Sequence, residues 1–186
     1  MTITVLLAHI AVVVTAGLAV YSVARSPRNP VARIFAAAMA VLALDALLSA
    51  MALQADRAGV FLLWYRAKTI AASFLPGAWL LFGLAYGRAN YREFLRKWKP
   101  VVGITFVVPL VLSLLFWNDW YAGSPARGQG GATWYLALGW AGYFWTLAVI
   151  AGAILVIMNL ERTLRHSTGY KRWQIKFMII GVGALF

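Results

Sequence analysis

The chain has 186 residues, of which 63% are apolar and only 12% charged, with no cysteine and a net charge of +12. An ordinary soluble domain is nearer half apolar and a quarter charged, so the balance excludes a water-soluble globule. The missing thiols exclude disulfides, thiol catalysis and Cys-ligated metal. In a soluble protein the positive charge would suggest nucleic acid. Here it sits in short loops between apolar runs, so anionic lipid headgroups are the expected partner and nucleic acid is not.

A bilayer's hydrocarbon core is about 30 Å thick, and a spanning helix needs roughly 20 mostly apolar residues. Five runs qualify: Ile3–Val23, Ile34–Leu53, Ile70–Tyr86, Val101–Trp117 and Trp134–Leu160. A sixth starts near Ile175 and stops at Phe186. The fold class expected is all-α, a polytopic transmembrane helix bundle with five full spans plus a truncated sixth, forming one transmembrane domain over 1–186. The first run has no Lys or Arg before it and is too long for a signal-peptide core, so it reads as a retained span.

The loops between the runs carry the charge unevenly. The first holds Arg25, Arg28 and Arg33, and the second, with the start of the third span, Arg57, Arg66 and Lys68. The third holds Arg88, Arg92, Arg96, Lys97 and Lys99, the fourth Arg127, and the fifth Arg162, Arg165, Lys171 and Arg172. Odd loops hold 3 + 5 + 4 cations and even loops 3 + 1. The positive-inside rule therefore predicts the N-terminus outside and the odd loops in the cytoplasm.

The second loop opposes that rule. Ala55–Lys68 reads as an amphipathic outer segment whose Trp64, Tyr65, Arg66 and Lys68 suit the headgroup layer. The third loop is too polar to span, and its Phe94 and Leu95 among cations predict a short lipid-facing surface helix. In the fourth, Gly and Pro mark turns, flanked by an interfacial belt of Trp117, Trp120, Tyr121, Trp134 and Tyr135. The final run, Ile175–Phe186, would cover about 18 Å as a helix. A backbone ending in hydrocarbon leaves its last carbonyls unpaired, so the expectation is a fragment or truncated product of a longer membrane protein.

Asp45 is the carboxylate nearest the middle of a span, where a charge costs roughly 2.5–3.5 kcal/mol on insertion scales. It is expected to face the bundle interior, protonated or paired. One reading makes it a proton- or ligand-sensing group; the other makes it a neutral acid bonded to Ser49 one turn on, or to a neighbouring helix. His9, in the outer half of the first span, could meet Asp45 in a pH-responsive contact, or bond a backbone carbonyl or interfacial water. The other histidine, His166, falls on the opposite side, so no metal, haem or other cofactor is expected. Gly83 and Gly87 lie four apart, a spacing that permits close helix packing. Pro76 and Pro109 should kink their spans. The chain has no nucleophile elbow and no phosphate-cradling Gly loop, so no catalytic residues are assigned.

Three stretches resemble a known family. RNPVARIFAAAMAVLAL is similar to the first cytoplasmic loop and second span of the N-terminal multi-helix membrane region of bacterial sensor histidine kinases. LPGAWLLFGLAYGR resembles the third span of that region. Asn159, Leu160, Glu161, Arg172, Trp173, Lys176, Phe177, Gly181 and Gly183 resemble the segment entering the sixth span in the PrsK-type kinases of the PEP-CTERM/exosortase system. Asp45 departs from the pattern, which has an aromatic or aliphatic residue there.

The resemblance implies a membrane sensor or anchor region of a two-component kinase. The parent would continue through a seventh span into a cytoplasmic sensor-type domain, a phosphoacceptor helix pair and an ATP-binding domain. It would act on a response regulator. His166 lacks the acidic neighbour of a phosphoacceptor, and that role is not carried over. A second copy of the chain is a further candidate partner. The alternative, of a different class, is a stand-alone small membrane transporter or lipophilic-ligand-binding protein.

Overall fold

The computed structural model describes residues 3–86, 91–127, 134–165 and 169–185. The elements in chain order are α1 (Ile3–Arg25), α2 (Pro30–Leu53), α3 (Ala58–Ala72), α4 (Leu75–Ala85), α5 (Tyr91–Leu115), β1 (Ala126–Arg127), β2 (Trp134–Tyr135), α6 (Trp140–Arg165) and α7 (Tyr170–Leu185). Among the described residues, five helices are long and apolar enough to cross a membrane: Ile3–Arg25, Pro30–Leu53, Ala58–Ala85, Glu93–Leu115 and Trp140–Arg165. Large apolar side chains face outward along them, with Ile3, Val13, Val20 and Leu115 each at least 70% exposed. Such a surface is stable only where the solvent is itself hydrocarbon.

Local chemistry sets the helix boundaries. Asn29 caps α2 by accepting from the Val31 N–H at 3.0 Å, with Pro30 at the first helical position, where its missing N–H costs nothing. The Asn-Pro pair is therefore a helix start. The Ser22 hydroxyl donates to the Ala32 carbonyl at 3.1 Å and ties the α1–α2 hairpin shut. Side-chain hydroxyls inside the spans mostly turn back on their own helix. Thr15 bonds Ala11, Thr105 bonds Val102, Thr146 bonds Gly142 and Thr163 bonds Asn159 through backbone carbonyls. With no water in the bilayer core, this internal bonding is what makes a polar residue tolerable there.

The third span is the centre of the bundle. Of its membrane-length apolar window 67% is buried, against 11–28% for the other four. Leu80 and Leu84 are fully buried in a core that α2, α5, α6 and α7 also enter through Met39, Val102, Val156, Leu160 and Val182. Close approach rests on small residues. A Cβ built on Gly152 of α6 would stand 2.5 Å from the Pro76 ring of α4. One built on Gly83 would stand 3.1 Å from Asn159 Nδ2. Because lipid is as apolar as leucine, such backbone contact, rather than expulsion from water, holds membrane helices together. Gly87, the other glycine of that spacing, lies outside the described residues.

Several elements begin elsewhere than apolar content alone predicts. The third span begins at Ala58, not Ile70, so Ala55–Lys68 is mostly the first half of a spanning helix rather than an outer surface segment. Among its described residues the basic third loop forms no separate surface helix. Residues from Tyr91 onward run without a break into α5, through Pro100 and Pro109. Trp134 and Tyr135 do not begin the fifth span; they form β2, which pairs antiparallel with β1, and the span starts at Trp140. Apolar content misplaced these boundaries because long cationic side chains ride on helices whose backbone is already satisfied.

Candidate functional site

The described parts of the 116–139 connection, residues 116–127 and 134–139, fold against the bundle end where α2 meets α3. Trp134 Nε1–H donates to the Ala55 carbonyl at 2.9 Å, and its ring stacks on Phe61 at 5.6 Å. Trp120, 3% exposed, donates from Nε1 to the Leu112 carbonyl at 3.2 Å, while the Gly139 N–H donates to the Trp120 carbonyl at 2.7 Å. The connection is thus pinned to α3, α5 and the start of α6.

Beneath it runs a polar stripe on α3. Tyr65, Thr69 and Ser73 are four residues apart and so share a helix face. Thr69 donates to the Tyr65 carbonyl at 2.9 Å, and Ser73 to the Thr69 carbonyl at 2.9 Å. Tyr121 reaches this stripe from above, its hydroxyl 3.4 Å from Thr69 Oγ1 and its ring 5.8 Å from Tyr65. Burial pushes the Tyr121 phenol up to about 12; the Thr69 hydrogen bond opposes the shift, nearby Tyr65 adds to it, and Arg66 opposes it.

At the foot of the stripe, Trp145 of α6 donates from Nε1 to Ser73 Oγ at 2.8 Å. The Trp145 ring lies 5.2 Å from that of Trp120. Ser73 is fully buried and sits where α3 stops and α4 has yet to start. The cause of the stop is Pro76, which lacks an N–H for the Ala72 carbonyl and crowds the preceding turn. Ser73 and Phe74 both keep right-handed helical dihedrals, so the span is interrupted without being turned. Hydrogen bonds from Tyr121 to the Thr69 hydroxyl, from Ser73 to the Thr69 backbone carbonyl and from Trp145 to Ser73 therefore link Tyr121 and Trp145 to the break in the central span.

Charged groups lie beside this stripe. The Arg66 guanidinium stands 4.9 Å over the Trp117 ring, and its Nε is buried without a hydrogen-bond partner. Lys68 Nζ stands 5.6 Å over Tyr65. Asp45, on α2, is within electrostatic reach of Lys68, and its Oδ1 is buried without a hydrogen-bond partner. Asp45 thus turns toward the bundle, not toward lipid. Ser49 donates to the backbone carbonyl of Asp45 at 2.8 Å rather than to its carboxylate. His9 Nδ1 bonds the Val5 carbonyl at 2.7 Å, and no salt bridge joins it to Asp45 among the described residues. Of the basic third loop, Arg96 and Lys99 are exposed on α5 with Lys97, and Arg92 lies in its first turn. Arg88 and His166 lie outside the described residues.

The sequence reading singled out Trp117, Trp120 and Tyr121 as belt residues but missed Thr69, Ser73 and Trp145. The available signal was the i, i+4 spacing of Tyr65, Thr69 and Ser73 inside an apolar run, which marks a buried polar face.

These features define a polytopic helical membrane protein with a broken, buried central span. The chain matches the family described as the N-terminal 7TM region of histidine kinase over residues 7–186, and it belongs to that family. No match was found among curated proteins or among solved structures.

Proposed function

We propose that this chain is the membrane-embedded sensor and anchor region of a two-component histidine kinase of a bacterial inner membrane. The family match supports the reading. The observation that carries the mechanism is the Trp145–Ser73 hydrogen bond at the break of the central span. A change in the 116–139 connection moves Trp120 and Tyr121, which hold Trp145 and Thr69. Trp145 and Thr69 in turn bear on Ser73, and a shift there changes how α4 packs on α5 and α6. In the parent protein that motion passes into cytoplasmic catalytic domains and on to a response regulator. Asp45, with Lys68 opposite, is the candidate intramembrane polar site beside this route. The C-terminal motif, from Asn159 to Gly183, supports a parent kinase of the PrsK type.

The cation distribution supports an outer N-terminus and an outer 116–139 connection. Single-cysteine labelling at Ser124 and Asn90 with an impermeant reagent tests this in intact cells. Labelling at 124 alone is expected, and labelling at 90 alone reverses the assignment. For the relay, Trp145→Phe and Ser73→Ala in the full-length kinase are expected to alter basal autophosphorylation in membrane vesicles. Unchanged activity in both, with protein levels preserved, rejects the route.

A further inference from the structure

A second site lies at the other end of the bundle, on the α1–α2 hairpin. There α1 and α2 leave a groove of about 620 Å³, lined by Ala19, Val23, Ala36, Ala37 and Ala40 with Arg33 at its rim. That volume falls within the range of small-molecule sites, about 300–1,000 Å³. We propose that this groove binds one anionic phospholipid, an acyl chain lying along the alanines and the phosphate held by Arg33.

Charge selects the occupant. Residues 25–33 contain Arg25, Arg28 and Arg33 and no acidic residue. Arg33 is exposed, and among the described residues no carboxylate pairs with it. The nearest acid along α2 is Asp45, twelve residues or about 18 Å further up the helix. Arg33 is thus a cation at the hydrocarbon boundary with no carboxylate paired to it among the described residues, the position that suits a lipid phosphate. The same charge disfavours a second copy. A twofold contact through this face would oppose one Arg33 to another with no acid between them. The groove is also preformed. The Ser22–Ala32 hydrogen bond and the Asn29 cap fix the hairpin that ends it, so little ordering is lost when a chain lies down. Alanine is what opens the space, since a leucine at Ala37 or Ala40 would fill it.

Native mass spectrometry of the 186-residue chain tests the assignment. The probe is an equimolar mixture of phosphatidylglycerol and phosphatidylcholine with identical acyl chains, added in detergent. One phosphatidylglycerol is expected to remain bound in preference to phosphatidylcholine. Arg33→Gln should lower that preference about fivefold, the equivalent of about 1 kcal/mol for one cation at an anionic surface, while Arg33→Lys keeps it. Ala37→Leu with Ala40→Leu should release both lipids with the charges intact, helical circular dichroism confirming the fold. Equal retention in Arg33→Gln and wild type overturns the proposal. So does a dimer that the leucine pair dissociates with lipid retention unchanged, since the groove then belongs to a second copy.

Discussion

Removing the Trp145 indole N–H is the most direct way to ask whether the 116–139 connection is coupled to the broken span. Trp145→Phe removes the 2.8 Å bond to Ser73 Oγ and part of the ring contact with Trp120. Ser73→Ala removes the acceptor and also the bond that Ser73 donates to the Thr69 carbonyl. Interhelical hydrogen bonds in membranes average about 0.6 kcal/mol and reach about 1.7. Because Ser73 is fully buried, the upper half of that range is expected. The aromatic contact adds about 0.5–1.5 kcal/mol, so Trp145→Phe alone should cost about 1.5–3 kcal/mol. The aromatic part appears equally in the Ser73→Ala background and cancels in a double-mutant cycle, leaving a coupling of about 1–1.7 kcal/mol for the hydrogen bond. Reversible unfolding in mixed micelles, followed by helical circular dichroism, measures all four corners. A coupling indistinguishable from zero would mean that the two side chains do not act together, and the relay would be refuted.

Three other perturbations probe separate parts of the fold. Gly152→Val sets a branched side chain against Pro76 and should cost about 1–3 kcal/mol in the same unfolding assay; an unchanged midpoint would show that α4 and α6 do not meet there. The Tyr121 phenol, raised from 10.0 to about 12, favours the neutral form in the folded state. Its contribution is therefore fully present below pH 10 and is lost between about 10 and 12, where an unfolded chain ionises first. Phenolate absorbance of wild type minus Tyr121→Phe should place this group near 12, and a midpoint near 10 would contradict the burial. Asp45→Asn should leave the fold intact; if Asp45 senses protonation it should also lock one signalling state of the full-length kinase. A pH response identical to wild type would reduce Asp45 to a structural residue.

The sequence by itself determined the solvent, the helical class and the order of the spans. Hydrocarbon demands long apolar runs with internally bonded backbones, and composition reports those directly. The Asn29-Pro30 cap of α2 is likewise a local device, because a helix start depends on residues next to each other. The tertiary structure decided which span is central. That depends on which faces meet, and in an apolar chain every face looks alike in composition. It also decided where the third span begins. Arg66 and Lys68 argued for a surface segment, yet each lies over an aromatic ring on a continuous helix. The site itself was the least legible part. Trp145 and Ser73 are 72 residues apart, and only the packing of α6 against the α3–α4 break brings a donor to its acceptor.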